Sequence, residues 1–463
     1  MTSTHRTPGG TSRRRWTLAL ASGALATIAA AVPALGAPPD DLTAAGAALV
    51  FTATDGTHGR EVWILRDDDE TPEMIKDIAA AGGSDPRHLT YAGGKVFFQA
   101  DDGVKGEELW VTDGSEEGTK RVKDIKQGIL PSYPRLLTAV GSTVFFVAQD
   151  GTHGEELWKS DGTAKGTNLV KDIRAGRKGA GITEMLRVGS TLYLVADDGT
   201  RGKELWKSDG TAKGTKLVKD IRATGDSLPS TLVKLGSRVF FRALDSEFGV
   251  WKSDGTAAGT RLVKRLDTFV LPEVVGGTLF FIGRDSPHGR ELWRSGGTAA
   301  TTKMVEDIRP GTDGSVATNP ENTWLVNVGG VLFVTPNDGT HGFELWKSDG
   351  TAPGTKLVKD IQTGSFSGAR PPLVALGGTV YFPGATIGHE FELWRSNGTP
   401  AGTELVADLN PTTGVDSTGS SPDDLVVVNG KVYFTADDGV HGREIWRHDP
   451  VADETTLVDD ITP

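Results

Sequence analysis

The chain predicts an all-β protein: a β-propeller of about nine four-stranded blades, one repeat of roughly 48 residues per blade, preceded by a signal peptide. Three observations carry this. Nine tryptophans (Trp63, Trp110, Trp158, Trp206, Trp251, Trp293, Trp346, Trp394 and Trp446) recur at spacings of 42–53 residues, and self-similarity at such a period marks repeat architectures. Gly accounts for 61 of 463 residues, nearly twice the usual level of roughly 7%, so the chain is rich in turns. Helical periodicity is absent after residue 37, while short apolar runs bounded by Gly and Asp-Gly recur in every unit.

The first element is an address. Arg6, Arg13, Arg14 and Arg15 precede a small apolar run from Thr17 to Val32, and Pro33-Ala34-Leu35-Gly36-Ala37 follows. A basic stretch, an apolar stretch and a small-residue cleavage region make a secretory signal. Ser12-Arg13-Arg14-Arg15-Trp16 is similar to a twin-arginine export signal. The expected division is therefore residues 1–37 as signal and 38–463 as one repeat domain. Removing residues 1–37 takes four positive charges and moves the net charge from −12 to −16. Such a polyanion excludes nucleic acid as a partner, because that binding is dominated by phosphate neutralisation. No later segment is long and apolar enough to cross a bilayer. With no cysteine, disulfides, thiolate metal sites and Cys nucleophiles are excluded.

The third unit shows the repeat fully. Strand a runs from Pro134 to Gly141, strand b is Thr143 to Ala148, strand c carries Glu156-Leu157-Trp158, and strand d is Thr167 to Ile173. Asp150-Gly151 and Asp161-Gly162 separate them, as hairpin signals do. Strands b and c do not alternate. Val144-Phe145-Phe146-Val147 puts apolar side chains on both faces, so each small sheet must be covered above and below by its like, which is the packing of propeller blades. Leu42 to Gly46 opens the first unit and Thr456 to Ile461 closes the ninth, both in phase. The ring is expected to close by face packing with no strand borrowed from the other terminus. Each buried Trp contributes on the order of 4–6 kcal/mol gross, which favours closure over an open stack.

The string Glu-Leu-Trp-x-x-Asp-Gly-Thr stands intact at 156–163, 204–211 and 344–351, and with Ser last at 108–115. It resembles the ELWxxDGT repeat family of exported bacterial proteins. That resemblance covers the whole chain after the signal and implies a propeller-like fold and an extracytoplasmic location; it implies no reaction. Departures stand at Gly249 in place of Glu, and at Gly296 and Asn397 in place of Asp.

Candidate ligand-face residues lie in the b–c hairpins and the d-to-a crossovers, which emerge on one face of the ring. The hairpins carry His58, His153, His288, His341 and His441, with Arg201 and Lys105 at the same place in two other units. Neighbouring hairpins are too far apart for imidazoles to share a metal at about 2 Å, so each His is expected to meet a nearby carboxylate. The acids of each hairpin (Asp55/Glu61, Asp150/Glu156, Asp338/Glu344) are too few for calcium and are expected to hold turns and backbone. Asp124, Asp172, Asp220 and Asp360, in the Lys-Asp-Ile runs, are expected to bond from blade to blade. The repeat loosens at three crossovers: Pro310 to Thr323, before Trp324; Ser365 to Arg370; and Asn410 to Asp423. None holds a nucleophile beside a base or a phosphate-cradling loop. No cofactor and no metal is implied. The expectation is an exported, monomeric, non-enzymatic propeller that binds a protein or glycan. The alternative is an enzyme acting on an extracellular polysaccharide, with two carboxylates facing each other in the central funnel.

Overall fold

The computed structural model describes residues 40–461 except 68, 317–322, 388 and 412–418; the signal segment, and parts of the Pro310–Thr323 and Asn410–Asp423 crossovers, lie outside these residues. The described residues contain no helix and form nine four-stranded antiparallel sheets. Every sheet takes its strands in chain order, a-b-c-d. In blade 3 these are Arg135–Val140, Thr143–Gln149, Glu155–Ser160 and Asn168–Lys171.

Strands b are buried on both faces along five consecutive positions in most blades, as the unbroken apolar runs require. Their partners lie across the seams rather than within a sheet. The nine apolar cores each join one blade to the next. Between blades 3 and 4, Phe145, Leu157 and Val170 of one blade meet Leu194 and Trp206 of the other. The repeat Trp residues are buried, save the half-buried Trp346. Closure follows the same rule: Phe51 and Trp63 of blade 1 pack with Tyr433 and Ile445 of blade 9, and Asn429 Nδ2 donates to the Ala47 carbonyl at 2.8 Å. The ring of nine therefore closes by face packing, with four strands from consecutive sequence in both end blades. Strand a of each blade touches strand a of both neighbours, which places these strands around the axis.

The c–d turns explain their own repetition. Asp161 Oδ1 accepts the Thr163 N–H at 2.9 Å and its hydroxyl at 2.7 Å, and Thr163 Oγ1 accepts the Gly166 N–H at 2.9 Å. A Cβ at Gly166 would stand 2.0 Å from Asp161 Oδ1, so this turn requires glycine there. Where Asn397 replaces the Asp, its Oδ1 accepts the Thr399 N–H in the same way. Where Gly296 does, the Thr301 hydroxyl accepts the Thr298 N–H instead.

One expectation is corrected. The Lys-Asp-Ile aspartates do not bridge blades; the lysines before them do. Lys123, Lys171, Lys219 and Lys359 donate to the carbonyls of Thr167, Thr215, Thr260 and Thr403 in the next blade at 2.8–3.0 Å. The four-carbon stem spans the seam, and in blades 3 and 4 the ammonium lies 5.7–5.8 Å from the next Trp ring. Asp124, Asp172, Asp220 and Asp360 instead each bury one carboxylate oxygen without a hydrogen-bond partner.

Candidate functional site

The repeated acids and imidazoles are held by their own blades. In blade 3, Asp150 Oδ1 accepts the N–H groups of Thr152 and His153 at 2.8 and 2.9 Å, and Oδ2 pairs with His153 Nδ1 at 2.7 Å. His58, His288, His341 and His441 pair with Asp55, Asp285, Asp338 and Asp438 in the same i, i+3 arrangement. Arg201 pairs with Asp198 at 2.5 Å and Lys105 with Asp124 at 3.1 Å. The carboxylate raises the imidazole pKa of His58, His153, His341 and His441 above the ordinary value. The structure keeps these residues one to a hairpin and does not bring them together. Among the described residues no cluster of His, Cys, Asp and Glu is arranged to hold a metal, and no helix is long and apolar enough to cross a membrane.

The repeated glutamate of strand c is fully buried and serves the crossover. Glu204 accepts the N–H groups of Ile221 and Arg222 at 3.1 and 3.3 Å and the Ser227 hydroxyl at 2.6 Å. Glu108 and Glu291 do the same with Ser132 and Ser315. Burial pushes the carboxyls of Glu108, Glu156, Glu204, Glu291 and Glu344 up to about 7.

Departure from the repeat is found instead at the mouth of the axis, on the crossover face, where strand a begins. In six blades strand a carries a left-handed residue that is not glycine, with φ between 50° and 62°: Asp41, His88, Leu136, Thr231 and Asp424 as the second residue, and Leu271 as the fourth. In these blades the pairing of strand a with strand b shifts register at that point. Such a bulge re-aims a side chain and stores strain. Leu, Thr and Leu occupy it in blades 3, 5 and 6, but in blades 1, 2 and 9 it carries charge or imidazole. Asp41, Arg60, Asp85, Arg87, His88 and Asp424 line a recess of about 760 Å³ there.

Its electrostatics are mixed. Arg60 pairs with Asp40. Asp41 Oδ2 accepts the Leu89 N–H of blade 2 at 3.2 Å. Asp424 accepts the Thr435 hydroxyl at 3.1 Å; burial first, then the neighbouring carboxylates Asp423 and Asp41, push its carboxyl upward. Arg370, a candidate from the sequence, stands in the seam between blades 8 and 9, with its guanidinium 4.6 Å from the Phe391 ring and Nη2 3.5 Å from the Pro422 carbonyl. Trp324, the other, enters strand a of blade 7, is 41% exposed, and anchors its N–H on Thr335 Oγ1 at 3.2 Å. The sequence reading passed over the mouth residues. Aligning the units at the start of strand a would have found them, since Asp40-Asp41, Arg87-His88 and Asp423-Asp424 stand where blade 5 has Ser230-Thr231.

No family model and no curated protein matches the chain. Among solved structures, the computationally designed protein Ika8 is similar over 74% of this chain and 92% of its own, at 16% identity and a TM-score of 0.43. The β-propeller domain of the Trilobed protease from Pyrococcus furiosus is similar over 70% and 98%, at 13% identity and a TM-score of 0.35. A puromycin hydrolase is similar over 70% of this chain, at 14% identity and a TM-score of 0.39; the chain spans 53% of its length. The blade count rests on the strand order of the protein itself.

Proposed function

We propose that this is an exported, non-enzymatic propeller that binds a protein or glycan through its crossover face, at the mouth of the axis. One observation carries the reading: the repeated acids and imidazoles are committed to their own turns and crossovers, whereas Asp41, His88 and Asp424 break the repeat at the mouth, with Arg87 beside them. Export rests on the basic and apolar N-terminal segment, and the resemblance to the ELWxxDGT repeat family supports it. Glycan-array and pull-down screening of the full chain tests the proposal. Arg87→Ala and Asp424→Asn should each weaken a specific interaction about tenfold, the scale of one lost charged contact. A partner bound equally well by both variants would move the site elsewhere.

A second reading has one observation in its favour. Asp41 and Asp424 come from adjacent blades and line one recess, and burial holds Asp424 toward its protonated form, as the acid of a glycoside-cleaving pair requires. Degradation of an extracellular polysaccharide by the full chain, lost in Asp424→Asn, would favour it.

A further inference from the structure

The opposite face, where the a–b and c–d turns emerge, carries a second departure. In six seams an aromatic side chain of strand b lies edge-on over the glycine of the next blade's c–d turn. Phe97 meets Gly162, Phe145 meets Gly210 and Phe240 meets Gly297, each with Cζ 3.1–3.4 Å from where a Cβ on that glycine would stand. Strand c adds a cation in three of these seams: Lys159 and Lys252 donate to the Gly210 and Gly297 carbonyls at 2.8 and 2.6 Å, and Lys347 to that of Gly398 at 2.6 Å.

The seam between blades 1 and 2 lacks the ring and the strand-c lysine. Val50 takes the aromatic position, Ala48 the place of Lys95 two residues earlier, and Ile64 the place of the lysine. Gly114 then faces only the tip of Ile64, 3.1 Å from its Cβ position, and its carbonyl accepts from Arg66 Nη2 at 2.8 Å. The result is a recess of about 600 Å³, walled by Val50, Ile64, Val96 and the 41% exposed Tyr91. That is the size of a ligand site rather than a packing defect. Asp67 and Asp113 stand at its rim. The Ser115 hydroxyl and N–H hold the Asp113 carboxyl below the usual carboxylate range, and the one arginine of the lining, Arg66, is engaged by Glu73 and Asp69.

We propose that this recess binds an aromatic side chain of a peptide or protein partner with a basic residue beside it: the ring enters the space that Phe or Tyr fills in other seams, and the base meets Asp67 and Asp113. The site is on the face away from the axis mouth proposed above, so either proposal can fail alone.

The test is saturation-transfer NMR of the full chain with N-acetyl-phenylalanyl-lysine amide, with the leucyl-lysine and phenylalanyl-glutamate analogues as controls. The ring protons of the first probe should saturate, with both controls much weaker. Val50→Phe, which supplies the ring that six other seams carry, should cut the signal about tenfold while the melting temperature holds or rises. Should Val50→Phe fail to fold, Ala48→Lys, copying Lys95, closes the entrance and must give the same loss. No saturation of the unaltered protein, equal saturation in the variants, or a melting temperature lowered by Val50→Phe would each overturn the proposal.

Discussion

In blade 3 the chain leaves strand d at Lys171 and does not enter strand a of blade 4 until Met185, and Glu156 accepts the N–H groups of Ile173 and Arg174 along the way at 2.9 and 3.0 Å. In blade 5, strand d ends at Arg265 and strand a of blade 6 begins at Thr268, leaving only Leu266 and Asp267 between them. Blade 5 is also the blade with Gly249 where the others have glutamate, and the Leu262 side chain crowds the space above that glycine. The two departures are one. A long crossover turns back over the end of its blade and buries N–H groups that the sheet does not satisfy; a carboxylate inside the blade accepts them. The two-residue crossover of blade 5 has no loop to turn back over the blade, and there glycine replaces the acid. The strand-c glutamate, repeated in eight of the nine blades, is thus a structural anchor, and its repetition is no sign of catalysis.

This contrast can be broken or sharpened by measurement. The seam cores of the two blades are alike, so Trp206→Ala and Trp251→Ala should each cost about 3–5 kcal/mol by denaturant unfolding; a wide gap between them would mean that the crossovers, and not the cores, dominate. Glu156→Ala should cost about 2–4 kcal/mol, because a buried and a half-buried N–H group lose their acceptor, and amide exchange should quicken at Ile173 and Arg174 before it does in strand b. Gly249→Glu should destabilise by about 1–3 kcal/mol rather than stabilise: its Cβ would meet Leu262 Cδ1 at 2.6 Å, and the two-residue crossover of blade 5 gives the acid no long loop to hold.

A pH titration separates the two blades further. Glu156 keeps its proton up to about 7 in the folded ring, against an ordinary value of 4.5. A carboxyl raised on folding stabilises fully below its unfolded value and loses that contribution as pH climbs through the folded one. The melting temperature should therefore fall between pH 5 and pH 8, and Glu156→Gln should flatten part of that fall. Gly249→Ala, which adds no titratable group, should leave the slope as it is. The smallest effect belongs to the hairpins: His153→Ala should change stability by less than about 1 kcal/mol, since its pair with Asp150 is partly exposed and the Asp150 carboxylate still caps the turn through Oδ1.

Much of this was legible along the chain. Val144 to Val147 demanded cover on both faces, Asp161 and Thr163 announced their turn, and His153 three residues after Asp150 announced its partner. Other features were not. Lys171 and Asp172 are neighbours in a polar run, and nothing local says which one crosses the seam; the answer depends on the Thr215 carbonyl, 44 residues away. Asp40-Asp41 and Asp424 are separated by almost the whole chain and share a recess only because the ring closes. Val50 reads as one more strand residue until the glycine it fails to cover is known to be Gly114.

The amino-acid order by itself determined the blade: its four strands, its turns and the apolar rows on both of its faces. These follow from side-chain alternation and turn chemistry, which act over a few residues. Only the tertiary structure decided how the blades meet, namely which side chains cross each seam, a charged mouth shared by the first and last units, and one seam lacking its ring. Those are properties of surfaces meeting across 40 or more residues, where local periodicity holds no information.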